Sequence, residues 1–74
     1  MFYILELQTD NGAGAYIVQT AETKNEAMSK YHTILSFAAI SQIDKHTCIV
    51  VDEEGRYLAR ECYEHYNAEV GTDE

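Results

Sequence analysis

The alternation of apolar and polar residues predicts a β-hairpin at the start of the chain. Residues 2–9 (FYILELQT) and 15–20 (AYIVQT) are rich in β-branched and aromatic side chains, which favour strands. The loop between them contains Asn11, Gly12 and Gly14, residue types that tolerate a positive φ. A short loop of this kind between two strand-like segments is typical of an antiparallel hairpin.

A single amphipathic helix is predicted after this hairpin. Thr23 followed three residues later by Glu26 forms a capping box, in which each side chain satisfies an unpaired backbone N–H of the first turn. Behind the capping box, apolar residues recur at spacings of three and four, as on one face of a helix: Ala27, Met28, Tyr31, Ile34, Leu35 and Ala38. We therefore expect the helix to run from about Lys24 to Ala38 or Ala39.

A second hairpin is predicted in the C-terminal half. Residues 47–51 (TCIVV) and 56–63 (RYLARECY) are strand-like, and Gly55 lies where a short hairpin loop needs a left-handed residue. The element order predicts a two-layer α+β domain, a four-stranded antiparallel sheet with one helix on one face (ββαββ). This single domain should span residues 1–66, followed by a disordered acidic tail over 67–74. The order of the strands in the sheet stays open.

Both faces of the predicted sheet carry apolar side chains. In the first segment, Tyr3, Leu5 and Leu7 would point one way, and Phe2 and Ile4 the other. The later segments repeat this pattern, with Cys48 and Val50 against Ile49 and Val51, and with Tyr57, Ala59 and Tyr63 against Leu58 and Cys62. One helix covers only one face. We therefore expect the second face, or an edge strand, to meet another copy of the chain, most simply in a homodimer, or a partner protein.

The charge balance narrows the classes of partner. Among 74 residues, 13 Asp and Glu stand against 5 Lys and Arg, which gives a net charge of −8. Direct binding to nucleic acid or to an anionic membrane is disfavoured, because both need clustered basic residues. The chain contains no apolar run of about 18 residues and no N-terminal secretion signal. We therefore expect a cytoplasmic protein whose Cys48 and Cys62 stay reduced.

The chain carries no motif with a recognisable catalytic or cofactor-binding spacing. No Cys-x-x-Cys or His-x3-His pair is present, and the glycines near residue 12 belong to a hairpin loop. Counted back from the second turn, Cys62 falls opposite His46, the one candidate for a nucleophile beside a base. An unpaired Cys on a strand is more often a small buried hydrophobe. We therefore expect a protein that is not an enzyme and has no catalytic, metal-binding or cofactor-binding residue.

Six tyrosines are an unusual number for a chain of this length, and three of them lie near its C-terminal end. Tyr combines rigid contact area with one hydrogen-bonding group and is enriched at interfaces. Packing in and around the core accounts for Tyr3, Tyr16 and Tyr31. The others and two neighbouring basic residues form the predicted partner-binding surface: Tyr57, Arg60, Tyr63, His65 and Tyr66.

Residues 31–41 (YHTILSFAAIS), His46, 51–55 (VDEEG) and 61–65 (ECYEH) resemble a group of small uncharacterised proteins. These proteins are encoded by prophages and gut bacteria of the Firmicutes type, and no functional residue can be carried over from them. The resemblance implies a phage-linked accessory protein made inside a bacterium. It favours either a small virion or assembly factor or an antagonist of host defence. Together with the two apolar faces of the sheet, we expect a homo-oligomeric interaction module; the alternative is an inhibitor of a host defence system that mimics nucleic acid or sequesters a nucleotide signal.

Overall fold

The computed structural model describes residues 1–65 and has the predicted order of elements. Its strands and helix are β1 (Phe2–Asp10), β2 (Ala13–Ala21), α1 (Lys24–Ala38), β3 (Lys45–Asp52) and β4 (Tyr57–Glu64). The α+β architecture is confirmed, with one helix on a four-stranded antiparallel sheet. The predicted tail over 67–74 and Tyr66 lie outside the described residues.

The strand order in the sheet is β2-β1-β3-β4, and all neighbours are antiparallel. The chain therefore leaves the edge strand β2, crosses one face of the sheet as α1 and returns as β3 on the far side of β1. This path places α1 over β1, β2 and β3. In consequence β2 and β4 are the two edges of the sheet, and β1 and β3 are its centre.

The capping box forms with one change. Thr23 Oγ1 accepts a hydrogen bond from the Glu26 N–H at 3.1 Å, as predicted. The Glu26 carboxylate accepts from the backbone N–H of Glu22 at 3.3 Å, one residue before the cap. The helix ends at Ala38 with Ala39 as its C-cap, in agreement with the predicted range.

The core lies between α1 and the face of the sheet beneath it. Its buried side chains come from three strands and from one stripe of the helix: Ile4, Ala21, Cys48 and Val50 from the sheet, and Ala27, Tyr31 and Ile34 from α1. The predicted helical stripe supplies the buried residues of α1. A core of this size stabilises a small domain by only a few kcal/mol, roughly 3–5.

The first hairpin turns on Asn11 and Gly12. Their φ values of 54° and 79° are both positive, as a two-residue type I′ turn requires. Asp10 pairs with Ala13 across the turn, so both strands extend closer to it than the sequence predicts. The Asn-Gly signal thus sets the register of the whole β1–β2 pair.

The second hairpin turns at Asp52. Gly55 has a φ of 85°, and its N–H donates to the Asp52 carbonyl at 3.0 Å. The Asp52 carboxylate accepts from the N–H groups of Glu54 and Arg56. Desolvation acts to raise the pKa of this carboxyl, but these two N–H donors and the Arg56 guanidinium together lower it.

The register of β3 against β4 differs from the predicted one by a single residue. A β-bulge lies between Val50 and Val51, and Leu58 is the extra residue, because Val51 pairs with Tyr57 and Val50 with Ala59. His46 therefore pairs with Tyr63, and Thr47 with Cys62. The predicted pairing of Cys62 with His46 is wrong.

Candidate interaction surface

The face of the sheet opposite α1, which we call the open face, is lined by alternate residues of all four strands. Its residues follow from the strand pairing, because neighbours in register point to the same side. Three cross-strand rows make up most of it: Tyr3, Val51 and Tyr57; Val18, Leu5, Ile49 and Arg60; Tyr16, Leu7, Thr47 and Cys62.

The open face is apolar and reaches solvent. Tyr16 and Tyr57, on the two edge strands, are 74% and 68% exposed. Tyr3, Leu7 and Val18 are also exposed, whereas Leu5, Ile49 and Val51 are half-buried by their neighbours. The expectation that both faces of the sheet carry apolar residues is confirmed for β1 and β3, where Tyr3, Leu5 and Leu7 do lie on the face away from the helix.

The area of the open face is comparable to that of the largest apolar patch on a typical monomeric protein. Four strands about 4.8 Å apart and about eight residues long at 3.3 Å per residue give roughly 500 Å². The largest apolar patch on a monomeric protein is typically about 300–600 Å² and is often functional. Two such faces packed together would bury about 1,000 Å², the lower bound for a specific interface.

The open face carries little of the chain's negative charge. Lys45, Arg60 and Glu64 are its charged residues, and Lys45 pairs with Glu64 at one end of the face. The other acidic residues of the strands are on the helix side of the sheet: Glu6, Asp10, Asp52 and Glu61. Of these, Asp10 and Asp52 also border the two hairpin turns. A second copy approaching this face therefore does not bring carboxylate against carboxylate.

The predicted partner-binding residues do not form one surface. Tyr57 and Arg60 lie on the open face, but Tyr63 pairs with His46 on the helix side. Tyr63 stacks on His65, with ring centroids 6.4 Å apart and planes at 14°. His65 Nε2 donates to the carbonyl of Ala38 at 2.8 Å, so these two rings hold the end of β4 against the helix.

Tyr16 is the clearest residue that sequence reasoning misplaced. It was expected to pack in or around the core, but it is the most exposed tyrosine of the described residues. Tyr31, by contrast, is buried in the core as expected. The signal that would have placed Tyr16 correctly is its even position in β2, which puts it beside Leu7 rather than beside Glu6.

A buried polar cluster that the sequence analysis does not predict lies on the helix side of the sheet. His46 is 4% exposed, and its Nε2 donates to the Glu6 carboxylate at 2.5 Å. Its Nδ1 is hydrogen-bonded to Ser41 Oγ at 3.1 Å, and Glu6 also accepts from the Gln8 amide at 3.0 Å. Glu6 was visible in the sequence as a charge between Leu5 and Leu7, but its partner is 40 residues away.

This cluster has the composition of a catalytic triad without the accessibility that catalysis needs. Both ring nitrogens of His46 are engaged by protein atoms, and the ring is enclosed between sheet and helix. The adjacent Cys48 is fully buried; desolvation first, then the nearby Glu6 carboxylate, raises the pKa of its thiol to about 11. Cys48 is therefore a neutral core residue, and the cluster fixes the β1–β3 pair beneath the end of α1.

Elsewhere, a shallow groove beside the second turn is lined by charged groups that form ion pairs. The N-terminal amino group contacts Glu53 at 3.0 Å, and Arg56 contacts both Asp52 and Glu54. Within residues 1–65, no three His, Cys, Asp or Glu side chains are placed to hold a metal ion together. In the same part of the chain, α1 is too short and too polar to span a membrane.

Comparison of the chain with protein-family models, with curated proteins and with solved structures returns no match. The resemblance to prophage-encoded proteins therefore stays a prediction. The open face is the feature of the described residues from which a function can be argued.

Proposed function

We propose that this chain is an acidic, non-enzymatic interaction module that acts as a homodimer in the cytoplasm of a bacterium, as a phage-linked accessory protein. The observation that supports the proposal is the open face, a continuous apolar surface that the single helix leaves uncovered. Each copy covers the open face of the other. Tyr57 and Arg60 lie on the β4 side of the open face, so the second copy contacts them.

The free energy of covering the open face is of the size that a dimer needs. If about 600 Å² of the 1,000 Å² buried is apolar, the hydrophobic contribution is about 15 kcal/mol. Association costs roughly 4–15 kcal/mol in lost freedom of the two bodies. The remainder is about 0–11 kcal/mol, a range that includes the roughly 8 kcal/mol of a micromolar dissociation constant.

The distribution of charge favours the same contact. Two copies with a net charge of −8 each repel at long range. Approach through the open face brings together surfaces whose charged residues are Lys45, Arg60 and Glu64, and which therefore carry little of the negative charge. In this contact α1, with Glu26 in its first turn, remains in solvent. Both acidic hairpin turns remain in solvent as well.

The native cysteines provide the experiment, because Cys62 lies on the open face and Cys48 in the core. We expect the rate at which iodoacetamide alkylates Cys62 to fall several-fold as the protein concentration rises through the micromolar range. Cys48 is the internal reference and should stay unreactive at every concentration, because it is buried and its thiol pKa is raised. An alkylation rate of Cys62 that is independent of protein concentration would contradict the proposal.

A further inference from the structure

The two edge strands differ in how well they are protected against pairing with another chain. β4 carries Arg60, Glu61 and Glu64, and charged side chains on an edge discourage the addition of a strand. β2 (AGAYIVQTA) is nine residues long and contains no charged residue and no proline. A long, uncharged, exposed edge strand is a template for strand addition.

The free backbone groups of β2 can be assigned from its register. The two-residue turn closes on the Asp10–Ala13 pair, and antiparallel pairing alternates from there, so the odd residues of β2 bond to β1. The N–H and C=O groups of the even residues then point away from the sheet. The Thr20 carbonyl agrees with this assignment, because it accepts a hydrogen bond from Lys30 Nζ at 2.8 Å instead of pairing with β1.

Lys30 covers one end of the edge and thereby defines the free stretch. Its ammonium group holds the Thr20 carbonyl and also lies 3.7 Å from Glu26. Apart from the Thr20 N–H beside Lys30, the outward backbone groups that remain belong to Gly14, Tyr16 and Val18, all exposed residues. This stretch is about 13 Å long at 3.3 Å per residue, enough for a short antiparallel ladder.

We propose that β2 pairs with β2 of a second copy, antiparallel and centred on Tyr16. In this register Tyr16 lies opposite Tyr16 of the second copy, and Gly14 lies opposite Val18. The outward N–H and C=O groups of these residues then satisfy one another. Even-numbered residues of one copy lie opposite even-numbered residues of the other, and opposed residues point to the same face. Both open faces therefore lie on one side of a continuous eight-stranded sheet.

A second copy fits this edge better than an unrelated strand for a physical reason. Antiparallel pairing about a two-fold axis is self-complementary, so one short uncharged stretch supplies both partners. Two copies with a net charge of −8 each meet there without any charged side chain of β2 in the contact. The edge contact does not depend on the open face being covered; if both contacts form, their two-fold axes generate a closed tetramer of two stacked sheets.

Amide hydrogen exchange of the unaltered chain tests the edge contact residue by residue. We expect the N–H groups of Tyr16 and Val18 to exchange at least tenfold more slowly at high than at low protein concentration. The Ile17 N–H, bonded to β1, should be protected throughout, and the outward Arg60 N–H on β4 should exchange quickly throughout. Packing on the open face cannot produce this alternation, because it does not bond in-plane N–H groups. Fast exchange of Tyr16 and Val18 at all concentrations would overturn the proposal.

The Ile17→Lys variant separates this proposal from the proposed function. Ile17 is 48% exposed and pairs with Glu6 on the helix side, so its side chain does not reach the open face. A lysine there should abolish the protection of Tyr16 and Val18 while the protection of Cys62 against alkylation persists. The edge contact is refuted if Ile17→Lys alters neither the amide exchange of β2 nor the mass of the assembly. The proposed function still stands in that case, provided that Cys62 loses its protection against alkylation in an open-face variant.

Discussion

Replacement of Ile49 by lysine is expected to raise the dissociation constant of the open-face contact at least 100-fold. Ile49 is half-buried and pairs with Leu5 at the centre of the open face. A symmetric contact would bury two such ammonium groups, each without an anionic partner nearby, and burial of an unpaired charge costs several kcal/mol. A 100-fold change corresponds to about 2.7 kcal/mol, so the estimate is conservative.

The sign of the added charge makes Ile49→Lys informative. The substitution changes the net charge from −8 to −7, so long-range repulsion between copies decreases. A loss of association therefore reports the open face itself. Sedimentation equilibrium over a range of concentrations gives the dissociation constant.

Ser29→Lys is the matched control, because it makes the same charge change at an exposed position of α1. This variant should associate like the parent chain, and circular dichroism should show that both variants are folded. If Ile49→Lys associates as tightly as Ser29→Lys, the open face is not the contact.

Removal of His46 is expected to have the largest effect on folding. In the His46→Ala variant the Glu6 carboxylate loses the imidazole that faces it in a site where its side chain is only 14% exposed. Breaking a buried pair by removing one partner costs about 3–5 kcal/mol, which is close to the whole stability expected of so small a domain. Urea denaturation at a fixed protein concentration should show a largely unfolded variant.

The double variant Glu6→Leu/His46→Leu tests whether charge or packing causes that loss. Replacement of both partners by apolar residues is often neutral or stabilising, because no buried charge is left unpaired. We therefore expect it to be more stable than His46→Ala by at least 2 kcal/mol, a non-additive result. If the double variant is as unstable as the sum of its single variants, the interaction between Glu6 and His46 is not what the site requires.

Most of the fold follows from local signals in the chain. Thr23 and Glu26 mark the start of α1, and Asn11-Gly12 sets the first hairpin, since each depends on residues a few positions apart. The register of β3 against β4 was not predictable in the same way. Leu58 forms the bulge. Both the odd and the even positions of β4 include apolar residues, so the alternation does not reveal which residue is the extra one.

The open face could be inferred from the sequence, but its composition could only be inferred in part. Tyr3, Leu5 and Leu7 share one parity of β1, so the alternation alone placed them together. The alternation in β4 predicts Tyr57 and Tyr63 on one face, yet the bulge at Leu58 puts them on opposite sides of the sheet. The order of the strands in the sheet was not predictable, because neither hairpin indicates which of its two strands pairs with the other hairpin.

Sedimentation equilibrium of the Ile17→Lys variant, in which the edge contact should be lost, tests most directly whether a second copy covers the open face. We expect a mass of at least twice the 8.4 kDa of one chain at micromolar concentration. A folded protein that keeps the mass of a single chain from low micromolar to near-millimolar concentration would contradict it.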